Sequence, residues 1–175
     1  MAWESALGSV IEVAIALVGF SGIVAAVGRR GAGHWSPLDQ LRLRILLTAG
    51  GAALVFAFLP FLLIDVIDSS LVWRICSGVI ATWQFGIILY RVREASVLGV
   101  TEALGKRALS VLLVFQSTVV VLSVLNALWF ASSSLYVVAV VWFVVTAFMS
   151  FVTLLLDSWA GPPDATPPPP GNSPD

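Results

Sequence analysis

Five apolar runs joined by short polar connections leave this chain few folds to choose from. A helix needs about 20 predominantly apolar residues, at about 1.5 Å rise each, to cross about 30 Å of hydrocarbon. The runs Ala6 to Val27, Ile45 to Ile64, Leu71 to Tyr90, Ala108 to Ala131 and Leu135 to Leu156 all reach that length. Between them they hold two charged residues, Glu12 and Arg74. Lipid offers no water to satisfy backbone N–H and C=O groups, so a spanning segment must bond internally, and long continuous apolar runs do so as helices. The expected fold class is therefore all-α. Residues 1–159 form an integral membrane helical bundle with five transmembrane helices, and residues 160–175 form a disordered Pro-rich tail. That tail carries seven prolines and no core-forming residue, which favours an extended, solvated backbone.

Composition narrows the function classes. Charged residues make up 11% of the chain against about a quarter in an ordinary soluble domain, which argues against nucleic acid as a partner. Cys76 is the only cysteine, so no intrachain disulfide or multi-cysteine metal site can form. No Ser, His and Asp set, metal-ligand spacing or phosphate-cradling glycine loop can be assembled, and no cofactor is expected. His34, the single histidine, falls in a loop and reads as a solvated side chain.

Eight of the nine basic residues sit in two connections: Arg29, Arg30, Arg42 and Arg44 in one, and Arg91, Arg93, Lys106 and Arg107 in the other. Lys and Arg in short loops are retained in the cytoplasm. The expectation is a plasma (cytoplasmic) membrane protein with its amino terminus outside and its carboxyl terminus in the cytoplasm. Trp3, Trp73, Trp129 and Tyr136 then mark the outer boundary, and Trp35, Tyr90 and Trp159 the inner one. Trp83 and Trp142 fall in mid-span.

The connections carry their own signals. Ser36, Pro37 and Asp39 predict a capped helix start, and Asp68 to Ser70 and Ser132 to Ser134 predict tight turns before the third and fifth helices. Gly99 and Gly105 argue against a continuous helix through the longest connection. Pro60 removes a backbone donor from the second helix, a loss that neighbouring helices can accommodate.

Helices in lipid associate through small residues and interhelical hydrogen bonds, so polar positions indicate candidate packing faces. On the first helix Gly8, Glu12, Ala16, Gly19, Gly22 and Ala26 share one side, which predicts that Glu12 points at protein. This small-residue face is also the candidate surface for a second copy or another membrane partner. Arg74, Ser77, Ala81 and Gln84 align on the third helix, Gln116, Ser123 and Asn126 on the fourth, and Thr146, Ser150 and Thr153 on the fifth. Depth sorts these groups into a candidate outer cluster of Glu12, Arg74 and Asn126 and a candidate inner polar layer of Gln84, Gln116 and Ser150.

An ionisable group costs about 2.5 to 3.5 kcal/mol at mid-membrane on insertion scales and less nearer the surface, a cost that the apolar residues of the first helix outweigh for Glu12. Two readings of Glu12 stand side by side: a packing contact with Arg74 or Asn126, and a proton or cation site. The best-fitting function is a multi-pass membrane protein with an accessory or scaffolding role and no catalysis. The alternative is a small proton or cation channel or transporter subunit that uses the outer cluster, with a membrane enzyme third. The expected partners are the lipid bilayer and, through the small-residue face of the first helix, a second copy or another membrane protein.

Overall fold

The computed structural model describes residues 2–31, 37–98 and 106–159. Within them the chain is a bundle of α1 (Ala2–Gly31), α2 (Pro37–Leu63), α3 (Ser69–Leu98), α4 (Lys106–Leu125) and α5 (Ser133–Trp159). All five are long and apolar enough to cross a membrane, with candidate spans Ala2–Ile23, Asp39–Leu63, Ser69–Tyr90, Leu113–Phe130 and Ser133–Leu156. The expected tail, His34, the Ser36 cap, Gly99 and Gly105 lie outside the described residues.

The turns at the Trp3 end are built by side chains the sequence singles out. The Ser70 N–H donates to Asp68 Oδ1 at 3.0 Å, and the Asp68 carbonyl accepts from Val72 N at 3.0 Å, so Asp68 caps α3. At the end of α4, Asn126–Phe130 form a single π-helical turn, closed by a 2.9 Å bond from Ala131 N to the Asn126 carbonyl. Ala131 takes a left-handed conformation (φ 48°) that ends the helix, and α5 begins two residues later.

At the centre of the bundle α2 packs against α1 and α5, while α4 lies against α3 and α5. Alanines make this possible: Ala49, Ala52, Ala53 and Ala57 are buried on one face of α2, a surface flat enough for close helix approach. Phe56 packs at a tilt against Phe143 at 5.3 Å and meets Trp83 edge-on at 6.1 Å. At the Trp3 end, Trp3 packs on Phe61 at 5.4 Å and on Trp73 at 5.0 Å, tying α1 to α2 and α3. Toward the other end, the Arg44 guanidinium lies over the Tyr90 ring at 5.4 Å.

The face of α1 turned to this core is not the one the sequence favours. Leu7, Val10, Ala14, Leu17 and Ser21 are buried, whereas Glu12, Ala16, Gly19 and Gly22 are exposed and Gly8 is half-buried. Two stripes compete on this helix, and the small, polar one loses because α2 already supplies the small surface. Branched side chains of α1 fit into it. At the closest approach, a Cβ added to Gly50 would lie 2.7 Å from Val18 Cγ2. Valine is stiff at χ1 and cannot swing clear, so Gly50→Val is expected to push α1 off α2 and destabilise the protein by about 1 to 3 kcal/mol. Equilibrium unfolding in bicelles checks this, with Val18→Ala expected to restore part of the loss in the double variant.

Candidate functional site

Polar groups inside the bundle gather along the seam between α3 and α4. The antiparallel pairing of these helices brings Gln84 level with Gln116, and the Gln116 Nε2 amide donates to Gln84 Oε1. Trp142 of α5 completes the layer: its indole Nε1 donates to Gln116 Oε1 at 3.1 Å, and its ring stacks on Phe115 at 5.6 Å. Gln84 and Gln116 are both buried. Gln84 Nε2 and, further along the seam, Ser123 Oγ are buried without a hydrogen-bond partner among the described residues.

The inner layer thus pairs Gln84 with Gln116 as their depths imply, but Ser150 is not in it. The Ser150 hydroxyl donates to the Thr146 carbonyl of its own helix at 2.9 Å, as Thr146 does to Trp142 and Thr153 to Met149. A helical hydroxyl can satisfy itself on the preceding turn and needs no neighbour. Trp142 takes the place expected for Ser150. Its mid-span position, away from the headgroup belts, was the available signal, since a buried indole N–H seeks an acceptor.

Nearer the Trp3 end, Asn126 is the hub of a second set of bonds. Its Nδ2 donates to Ser77 Oγ on α3 at 2.8 Å and to the Ser132 carbonyl at 2.9 Å, and its Oδ1 accepts from the Ser132 N–H at 2.8 Å. Arg74, exposed at the surface of α3, reaches the same π-helical turn and donates from Nη1 to the Leu128 carbonyl at 2.9 Å. Those orphan carbonyls at a helix C-terminus suit a cation. Arg74 and Asn126 therefore meet at one junction, on α3 and α4.

Glu12 does not join them. The buried stripe of α1 includes Val10 and Ala14, each two residues from Glu12, and at about 100° per residue this sets the carboxylate about 200° from either, on the opposite side of the helix. Among the described residues Glu12 makes no hydrogen bond or ion pair. The helix α1 begins at Ala2, so Glu12 sits about 15 Å along it. The expected cluster is therefore divided into an Arg74 and Asn126 junction between α3 and the end of α4, and a carboxylate on the outward side of α1.

A groove of about 470 Å3 runs along α4 between Leu113 and Leu122, lined by apolar side chains with Ser117 and Thr118. The Thr118 hydroxyl is taken up by the Val114 carbonyl at 2.9 Å. Among the described residues no three of His, Cys, Asp and Glu come together as metal ligands would. Cys76 is buried in the core as a packing residue.

The fold and these sites define the class: a bundle of five helices long and apolar enough to cross a membrane, with an internal polar seam and, among the described residues, an exposed carboxylate, Glu12, that has no partner. No family model, curated protein or solved structure matches the chain.

Proposed function

We propose that this chain is an accessory or scaffolding protein of the plasma membrane, acting through assembly in the bilayer and not through catalysis. The observation that carries this reading is Glu12, in an apolar helix long enough to span a membrane, exposed on the side of α1 turned away from the bundle and without a partner among the described residues. An ionisable group facing hydrocarbon is costly, and a protein surface that hydrogen-bonds it removes much of that cost. On the same exposed face stand Ser5 and Ser9. Inside the bundle, by contrast, Gln84, Gln116, Trp142, Asn126 and Ser77 bond to one another, as helix-packing groups do. The charge pattern supports an external amino terminus and a cytoplasmic carboxyl terminus.

A photoreactive residue at Ala16 tests the reading in intact membranes. Discrete protein adducts are expected there, lost in the Glu12→Leu variant, whereas the same residue at Val121 on α4 should give lipid adducts. Lipid adducts alone at position 16 would overturn it. Proton flux in proteoliposomes that disappears in Glu12→Gln would instead support a channel or transporter subunit.

A further inference from the structure

We infer that Arg44, Tyr90 and Arg93 form a site for the phosphate headgroup of an anionic phospholipid, on the exposed flank where α2 passes α3. The site lies on helices other than that of Glu12 and is independent of the assembly reading.

Two cations meet there without a counterion. The Arg44 guanidinium of α2 rests over the Tyr90 ring of α3, 5.4 Å from its centroid. Arg93 follows Tyr90 by three residues, so the two share a face of α3. A helical side chain covers the turn before its own Cα, which for Arg93 is the turn of Tyr90. The two arginines thus converge on one tyrosine from two helices, and all three residues are exposed. Among the described residues neither Arg44 nor Arg93 forms an ion pair. Asp39, the only carboxylate of α2, lies 3.6 Å from Arg42 instead. Like charges brought together repel, and an anion held by both converts that repulsion into attraction. Arg74 shows the contrasting case, an arginine whose acceptor, the Leu128 carbonyl, comes from the bundle itself.

The donors and their depth identify the anion. A guanidinium presents paired N–H groups in a planar fork that matches phosphate oxygens, and the ring contact orients Arg44 without supplying an oxygen acceptor. Tyr90 is the last residue of the candidate span Ser69–Tyr90, which sets the pair at headgroup level. The charge pattern that supports a cytoplasmic position for this end also favours the leaflet that carries anionic lipid. A phospholipid needs room for its chains as well. From Tyr90 toward mid-span the same stripe of α3 continues through Gly86 to Trp83, which meets Phe56 of α2 edge-on. An added Cβ at Gly86 would meet nothing within 4 Å, so an acyl chain can lie over it. That room is a requirement the flank meets, while the arginine pair supplies the selection.

The test uses the full chain in detergent, with defined lipids added and bound copies counted by native mass spectrometry. Phosphatidylglycerol should bind at least fivefold more tightly than phosphatidylcholine with the same acyl chains. Arg44→Gln combined with Arg93→Gln should bring the two lipids within twofold of each other. Arg29→Gln combined with Arg30→Gln removes the same charge from the end of α1 and should leave the preference within twofold of that of the unaltered chain. Arg93→Gln alone breaks no ion pair or hydrogen bond among the described residues and should lower the preference at least threefold, which keeps the test open if the double variant fails to fold. Thermal unfolding of each variant is the folding control. Glycerol phosphate, a soluble headgroup, should leave the bound lipid in place at hundredfold excess; displacement would reassign the site to a soluble phosphate compound and overturn the lipid. Equal binding of both lipids to the unaltered chain, an undiminished preference in Arg93→Gln, or an equal loss in the Arg29 and Arg30 variant would each overturn the site.

Discussion

Replacing Asn126 with leucine is expected to destabilise the bundle by about 2 to 4 kcal/mol, the largest effect of any single polar substitution in it. Leucine keeps most of the volume but abolishes three bonds: two to the backbone of Ser132 and one to Ser77 Oγ. An interhelical hydrogen bond in a membrane protein is worth about 0.6 kcal/mol on average and at most about 1.7. A backbone N–H left without an acceptor adds about 1 to 3 kcal/mol. The Ser132 N–H is such a group, because it precedes the first turn of α5 and takes its acceptor from Asn126 alone among the described residues. Ser77→Ala removes only one of the three bonds and should cost under about 1 kcal/mol. Reversible unfolding in bicelles by steric trapping measures both. A loss of less than about 0.5 kcal/mol for Asn126→Leu would remove Asn126 as the organiser of the junction.

The second large effect involves a residue pair whose members lie 80 positions apart. In α2 the Phe56 carbonyl would normally accept from the N–H four residues on, but that residue is Pro60, which has none. The hydroxyl of Tyr136 on α5 donates to this carbonyl at 2.6 Å in the buried core. Tyr136→Phe should therefore cost about 1 to 2 kcal/mol, since it leaves a buried carbonyl unpaired. In a Pro60→Ala background the helix supplies its own N–H, and the same substitution should cost only a few tenths of a kcal/mol. The difference between the two backgrounds is the coupling energy of the pair, which a double-mutant cycle isolates. Equal losses in both would mean that the tyrosine hydroxyl does not act through the Pro60 defect.

Much of this architecture is legible in the sequence because lipid imposes simple rules. Run length and the scarcity of charge give the five helices, and Asp68 caps α3 in the way a short polar turn between two apolar runs implies. Gln84 and Gln116 pair because antiparallel helices of known length bring equal depths together. What resists reading is which side of a helix faces which neighbour. On α1 the small, polar stripe through Glu12 and the branched stripe through Leu7, Val10 and Leu17 are both regular, and only the alanine face of α2 decides between them. Composition cannot reveal that decision, since it belongs to the pair and not to either helix. Ser150 and Trp142 make the same point with hydrogen bonds. A hydroxyl has a carbonyl waiting on its own preceding turn, whereas an indole must look to another helix.

The bond between Tyr136 and Phe56 also has a meaning in time. During synthesis α2 enters the bilayer well before α5, the last of the five helices to leave the ribosome. Until α5 arrives, the nascent α2 holds a bare carbonyl at Phe56 and has α1 and α3 as its packing partners. The partner that fills that need is the final span, which packs more extensively on α2 than any other helix does. Docking of α5 thus closes the centre of the bundle, and nascent chains stalled before Tyr136 should remain open to membrane chaperones that bind small-residue helix faces.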